Sequence, residues 1–301
     1  MTDIQTGEHP VVVGVDGSES ALHAARWAAR EAARRKTSLR MVHVCHLFPV
    51  RHPKQIVLPA DYRLAVLDQG RHWLTEAEQA VHHVTPNLAG TADLRAGITA
   101  ELLIEESRAA QLVVLGSRGL GGFRSLLVGS VAIALSAHSH CPVVVVRGGA
   151  ADQQVHEDGP VVVGVDGTEI SDEAVAFAFE AAAARGAPLV AVHVWSDAEI
   201  AAAWAALPAG VDRNYLQARE EQVLTERIAP WCAKFPDIAV REVVVRDRPV
   251  HALLRHVAGA ALVVVGSRGR GALTGLGLGS VGQGILHHAE CPVAVARTGR
   301  T

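Results

Sequence analysis

The chain repeats itself at one fixed interval. Val11-Val-Val-Gly-Val-Asp-Gly17 returns as Val161-Val-Val-Gly-Val-Asp-Gly167, and Leu112-Val-Val-Leu-Gly-Ser-Arg-Gly119 returns as Leu262-Val-Val-Val-Gly-Ser-Arg-Gly269. Gly129-Ser-Val131 and Cys141-Pro-Val143 recur as Gly279-Ser-Val281 and Cys291-Pro-Val293, each pair 150 residues apart. A period of this length means duplicated domains and not a solenoid of short repeats. The 301 residues therefore divide into domains at 1–149 and 160–301, with a linker at 150–159 inside the polar stretch Gly148 to Gly159.

Within the first half, short apolar runs alternate with alanine-rich helical stretches. The strands read as Val11–Asp16, Leu39–Cys45, Ala92–Ala96, Leu112–Gly116 and Val143–Arg147, and the helices as Ser20–Lys36, Tyr62–His83, Ala100–Ala110 and Ser130–Ser139. A strand such as Val143–Val146 has no polar alternation, as expected of a parallel sheet covered on both faces. Alternating strand and helix imply right-handed crossovers and a doubly wound α/β sheet of five parallel strands, built twice.

Composition narrows the partners. With 49% apolar and 20% charged residues the chain is an ordinary globular protein, large enough to fold without disulfide or metal staples. A net charge of −3 gives no basic surface for a nucleic-acid backbone. No apolar run approaches the ~20 residues of a membrane-spanning helix, and the polar start Met1 to Pro10 does not read as a secretory signal. Cys45, Cys141, Cys232 and Cys291 form no CxxC pair and read as reduced core thiols, so a cytoplasmic location is expected.

Ligands of doubly wound sheets bind beyond the carboxyl ends of the strands, where strand order reverses. The first strand ends at Asp16, and Ser18 is placed to cap the next helix. The fourth ends at Gly116 and enters the glycine-rich loop that leads to Gly129, Ser130 and a helix. Such glycines let backbone N–H groups approach an anion, and a helix N-terminus favours phosphate. Ser130 adds a hydroxyl, Arg118 a charge, and Asp16 an acceptor for a ribose hydroxyl or an adenine amino group. The alternative for Asp16 is turn and cap chemistry alone.

The spacing Gly116-x2-Gly119-x9-Gly129-Ser130, repeated as Gly266-x2-Gly269-x9-Gly279-Ser280, resembles the ATP-binding signature of the universal stress protein family. The resemblance covers nearly the whole chain and is similar to tandem members of actinobacteria. It implies a Rossmann-like, adenine-nucleotide α-hydrolase-like fold, with ATP as cofactor and Mg2+ as its candidate companion. It implies that Asp16 and Asp166 contact the adenosine, that the backbone near Val44 and Val194 meets the adenine edge, and that Leu115, Val131, Val265 and Val281 line the two sites. Gly116, Gly119, Gly129 and Ser130, and likewise Gly266, Gly269, Gly279 and Ser280, would cradle phosphates beside Arg118 and Arg268. It also implies an intramolecular pseudo-dimer through the last strands, with a homodimer open.

Some features depart from the pattern. The first half has Gly97-Ile-Thr99 where the second has Asp247-Arg-Pro249. The second loop carries extra glycines at Gly275 and Gly277 and lacks a counterpart of Arg124, so two sites of unequal affinity are expected, the second the more flexible. His138-x-His140-Cys141 and His287-His288-x-x-Cys291 supply no complete metal-ligand set and sit where helices end, so no metal site is assigned. His43 and His193, mid-strand, read as core residues. The middle segments His46–Tyr62 and Trp195–Tyr215 read as lids or partner surfaces, with Trp204 as packing. No nucleophile elbow, Walker lysine or kinase set appears. The leading expectation is an ATP-binding stress-response or signalling module that is not an enzyme, with one ATP per domain and an unknown protein partner. The alternatives are a slow ATP hydrolase or phosphotransferase and a nucleotide-free interaction scaffold.

Overall fold

The structure, a computed structural model, describes residues 9–46, 60–120, 128–147, 158–195, 213–269 and 277–297. Most of the expected linker, the middle segments at 47–59 and 196–212 with Trp204, and loop positions Arg124 and Gly275 lie outside the described residues.

The chain forms two compact α/β units. In the first, β1 (Val11–Gly14), β2 (Leu39–Cys45), β3 (Gly90–Ala96), β4 (Leu112–Gly116) and β5 (Val143–Val146) alternate with α1 (Glu19–Arg34), α2 (Ala60–Val84), α3 (Thr99–Glu106) and α4 (Ser130–His138). The strands are parallel in the order β3-β2-β1-β4-β5, with Val11 opposite both Leu39 and Leu112. The order reverses between β1 and β4, as a doubly wound sheet requires.

The second unit repeats this plan with β6 (Val161–Val165), β7 (Leu189–Trp195), β8 (Val240–Arg246), β9 (Leu262–Gly266) and β10 (Val293–Ala296). Its helices are α5 (Asp172–Arg185), α6 (Arg213–Lys234), α7 (Pro249–His256) and α8 (Ser280–His288). Strand order in that unit is β8-β7-β6-β9-β10, again parallel.

The valine runs of β1, β4, β5, β6 and β9 are buried from end to end, which is why they show no alternation. The α1 helix meets them with alanine. Ala21, Ala24, Ala25, Ala28, Ala29 and Ala32 are all buried, and small side chains let the helix lie close to the sheet. Its one buried acid, Glu31, is paired with Arg35 at 2.7 Å, which keeps the charge from being stranded. Lys36 then turns left-handed at φ 54°, as Gly186 does at φ 61° after α5, and these residues end the two equivalent helices. The edge strands β3 and β8 are half exposed and carry Arg95, Asp93, Arg241 and Glu242, charges that discourage pairing with another sheet. Among the described residues no helix is long and apolar enough to cross a membrane.

Candidate functional site

The reversal between β1 and β4 opens a cleft of about 630 Å³ in the first unit. All nine first-half residues singled out above line it: Asp16, Val44, Leu115, Gly116, Arg118, Gly119, Gly129, Ser130 and Val131. Four different elements deliver them. Asp16 follows β1, Val44 stands on β2, Leu115 and Gly116 end β4, and Ser130 and Val131 open α4.

Asp16 fastens two loops together. Its Oδ1 accepts the Ser18 N–H at 3.0 Å and the Ser18 hydroxyl at 2.6 Å, while its Oδ2 accepts the Leu120 N–H at 3.0 Å. Ser18 in turn caps α1 by accepting the Ala21 N–H at 3.1 Å. The turn chemistry expected of an aspartate here is thus present, and a second bond adds to it by pinning the start of the glycine-rich loop. The Arg118 N–H donates to Ser20 Oγ at 3.4 Å and reinforces the same junction.

This closeness dictates the glycines. A Cβ on Gly119 would fall well under 3.0 Å from Asp16 Oδ2, and one on Gly116 would stand 2.7 Å from the Ser20 backbone. Gly129 is the N-cap of α4 and brings no side chain to cap it. Gly129, Ser130 and Val131 line the cleft, and the start of a helix brings N–H groups without intrahelical partners and positive potential from the helix dipole.

The lining is mixed. Val42, Val44, Leu103 and Leu115 are apolar, and Arg118, Gly119, Gly129 and Ser130 bring charge, hydroxyl and glycine backbone. Trp73 and His43 also line it, and neither was assigned to the site from sequence. His43 is buried as expected, with Nδ1 2.7 Å from the Val15 carbonyl, yet its ring also borders the cleft, edge-on to Trp73 at 5.1 Å. Thr99, at the start of α3, completes the wall.

The second unit places its residues in the same way. Asp166 Oδ1 accepts the Thr168 N–H at 2.8 Å and the Thr168 hydroxyl at 2.7 Å. Gly269 lies beside it, its would-be Cβ 3.3 Å from Asp166 Oδ2. Val194 lies on β7, Val265 and Gly266 end β9, Gly279 caps α8, and Ser280 and Val281 open that helix. Arg268 stands next to the cap, its Cα 3.5 Å from the position of a Gly279 Cβ. Burial, and then the Arg268 charge, hold the Arg297 guanidinium below its usual value.

The two units brace one turn differently. Gly17 and Gly167 both take positive φ, 81° and 76°. In the first unit the Trp73 indole packs directly on Gly17 and leaves no room for a Cβ. In the second, Arg227 Nε donates to the Gly167 carbonyl at 3.2 Å and pairs with Asp172 at 3.3 Å. At the start of the third helix, Pro249 takes the first position of α7, which suits its missing N–H, where α3 has Thr99. Among the described residues no group of three or more His, Cys, Asp or Glu could hold a metal ion.

The model of the universal stress protein family matches residues 8–147 and again 159–297. The chain belongs to the universal stress protein family. A universal stress protein of Mycobacterium tuberculosis H37Rv is 40% identical over 298 residues, covering 96% of this chain and 97% of its own. One of Mycolicibacterium smegmatis is 36% identical over 298 residues, covering 96% and 97%. Among solved structures, a universal stress protein from Archaeoglobus fulgidus superposes with a TM-score of 0.69 at 20% identity, covering 97% of this chain and 99% of that one, which bears on the fold.

Proposed function

We propose that each half of this universal stress protein binds one ATP, and that occupancy, not turnover, is the signal it passes to a protein partner in the stress response. The observation that carries this reading is the close approach of Asp16 to Gly119 and Leu120, which fixes the start of the glycine-rich loop at a cleft that the first turn of α4 also lines. The apolar side chains of the cleft suit a base, and its glycines and helix start a phosphate chain. Gly119 and Gly129 supply the cradle, Arg118 and Ser130 further donors, and Mg2+ would arrive on the phosphates. Asp166, Gly269, Gly279 and Ser280 offer the second half the same parts.

A binding role fits Asp16 better than a catalytic one, because both its oxygens already accept hydrogen bonds from the loops it joins. Binding to the folded state alone would stabilise it by about 2.7 kcal/mol at a hundredfold excess of ligand over Kd. The cytoplasm, where ATP is plentiful, is the proposed location.

The test is to denature purified protein and count released nucleotide, beside an Asp16→Ala, Asp166→Ala double variant and a titration with added ATP. About two ATP per chain from the wild type, and far fewer from the variant, is expected. No nucleotide released and no binding of added ATP would overturn the reading in favour of a scaffold with empty loops.

A further inference from the structure

The cleft of the first half is lined by Trp73, whose counterpart in the second half is not aromatic. The two long helices can be aligned residue by residue: Leu74 and Leu224 are both buried, and the hydroxyls of Thr75 and Thr225 each donate to the carbonyl four residues earlier at 3.0 Å. In this register Trp73 corresponds to Val223 and Gly70 to Glu220. A Cβ on Gly70 would press to 2.7 Å from His43 Cδ2, so the missing side chain lets α2 close on the histidine and brings Trp73 edge-on to it. In the second half Glu220 occupies the equivalent place, its Oε2 2.7 Å from His193 Nε2.

Trp73 is consequently held on two sides, by the Gly17 turn and by His43, while it lines the cleft. An aromatic surface immobilised before the ligand arrives has little side-chain freedom left to lose on binding. A nucleobase in contact with such a ring gains in proportion to the π surface it offers, so the larger purine gains more than a pyrimidine.

We infer that Trp73 is the base-recognising wall of the first half and gives that site a preference for purine over pyrimidine nucleotides which the second half, with Val223, does not share. This rests on the nucleotide reading above. It makes Trp73 a specificity-determining residue, and makes the two sites different in kind as well as in strength.

The experiment titrates the full chain, freed of nucleotide, with ATP and with CTP by calorimetry, while tryptophan emission is followed. Wild type is compared with Trp73→Val, Trp73→Phe and a transplant, Glu220→Gly with Val223→Trp. The expected result for Trp73→Val is one ATP site weakened about tenfold and CTP binding there weakened less, so that the preference at that site collapses. Trp73→Phe should keep most of the preference while losing the ATP-dependent change in emission. The transplant should raise the preference of the second site.

Two ATP sites with affinity and preference intact in Trp73→Val would overturn the inference and leave the nucleotide reading standing. Should Trp73→Val not fold, a wild type that binds two ATP with no change in emission on binding, together with an unaltered Trp73→Phe, would do the same. A wild type that binds neither nucleotide would overturn both.

Discussion

Gly119 lies against the Asp16 carboxylate so closely that a Cβ there would fall well under 3.0 Å from Oδ2, the oxygen that accepts the Leu120 N–H. The equivalent gap between Gly269 and Asp166 is wider, with the Cβ position 3.3 Å from Oδ2. Gly119→Ala should therefore force the loop off its aspartate, at a cost of about 1–3 kcal/mol. Gly269→Ala should be accommodated with a shift of a few tenths of an ångström. Counting ATP per chain in the two variants should show the first losing about half of the total and the second losing little; equal losses would contradict the geometry.

Ser18 serves the α1 cap and the Asp16 turn with one hydroxyl. Ser18→Ala should destabilise the first unit by about 1 kcal/mol, a fall of roughly 2–4 °C in Tm. Thr168→Ala should cost less, since Ser171 and not Thr168 occupies the N-cap of α5. Calorimetric melting of the two variants checks the order.

The thiols should react in an order set by burial. Burial pushes the Cys141 thiol up to about 12, so almost no thiolate exists there at pH 8. Cys232, half-buried on α6, should be modified first by a thiol reagent, and Cys141 only on unfolding. Peptide mapping by mass spectrometry after graded exposure checks this, and early labelling of Cys141 would contradict it.

Glu220 stands between stability and a stranded histidine. His193 is fully buried, and its two ring nitrogens face the Val165 carbonyl at 2.8 Å and the Glu220 carboxylate at 2.7 Å. Glu220→Ala should leave the second partner missing and cost about 1–3 kcal/mol in urea unfolding of that unit. Glu220→Gln, which keeps an acceptor, should recover much of it.

Acid should remove one contribution from the start of α7. The hydrogen bond with His251, then the Arg248 N–H, hold the Asp247 carboxyl below its usual value, with Arg255 2.5 Å away on the same oxygen as His251. A carboxyl depressed in the folded state stabilises above its unfolded value and loses that contribution as pH falls through the folded one. The difference in Tm between wild type and Asp247→Asn should thus be steady at neutral pH and shrink on acidification below about pH 4.

Where residues interact with close neighbours, the sequence was readable. The runs Leu39–Cys45 and Leu112–Gly116 are strands over the expected lengths, because short runs rich in valine and other apolar residues favour extended chain. Ends decided by distant partners were not. The third helix, expected through Ala110, stops at Glu106 and tightens into a 3-10 turn, where the Ser107 hydroxyl donates to the Ile104 carbonyl at 2.5 Å and accepts the His140 N–H at 2.8 Å. The first strand closes at Gly14, two residues short of Asp16, where the chain begins to turn toward Ser18. β3 begins earlier than Ala92, at Gly90, since pairing with Leu39 recruits Gly90 against its own preference, and Thr91 pairs with Arg40.

The glycines of the loop and Ser130 were also legible, because their spacing repeats in both halves between the end of a strand and the start of a helix. Trp73 was not. Its partners, Gly17 and His43, come from other parts of the chain, and a tryptophan on an amphipathic helix has the pattern of an ordinary core residue until those partners are known.

The bracing of Gly17 by an indole and of Gly167 by a guanidinium has a consequence for solutions of different ionic strength. Packing of an aromatic ring is nearly indifferent to added salt, whereas Arg227 and Asp172 are both partly exposed and their attraction is screened within about 8 Å at physiological ionic strength. Since duplication the two copies have come to support one backbone shape by forces that answer differently to their surroundings. Rising salt should loosen the Gly167 turn and leave the Gly17 turn as it was.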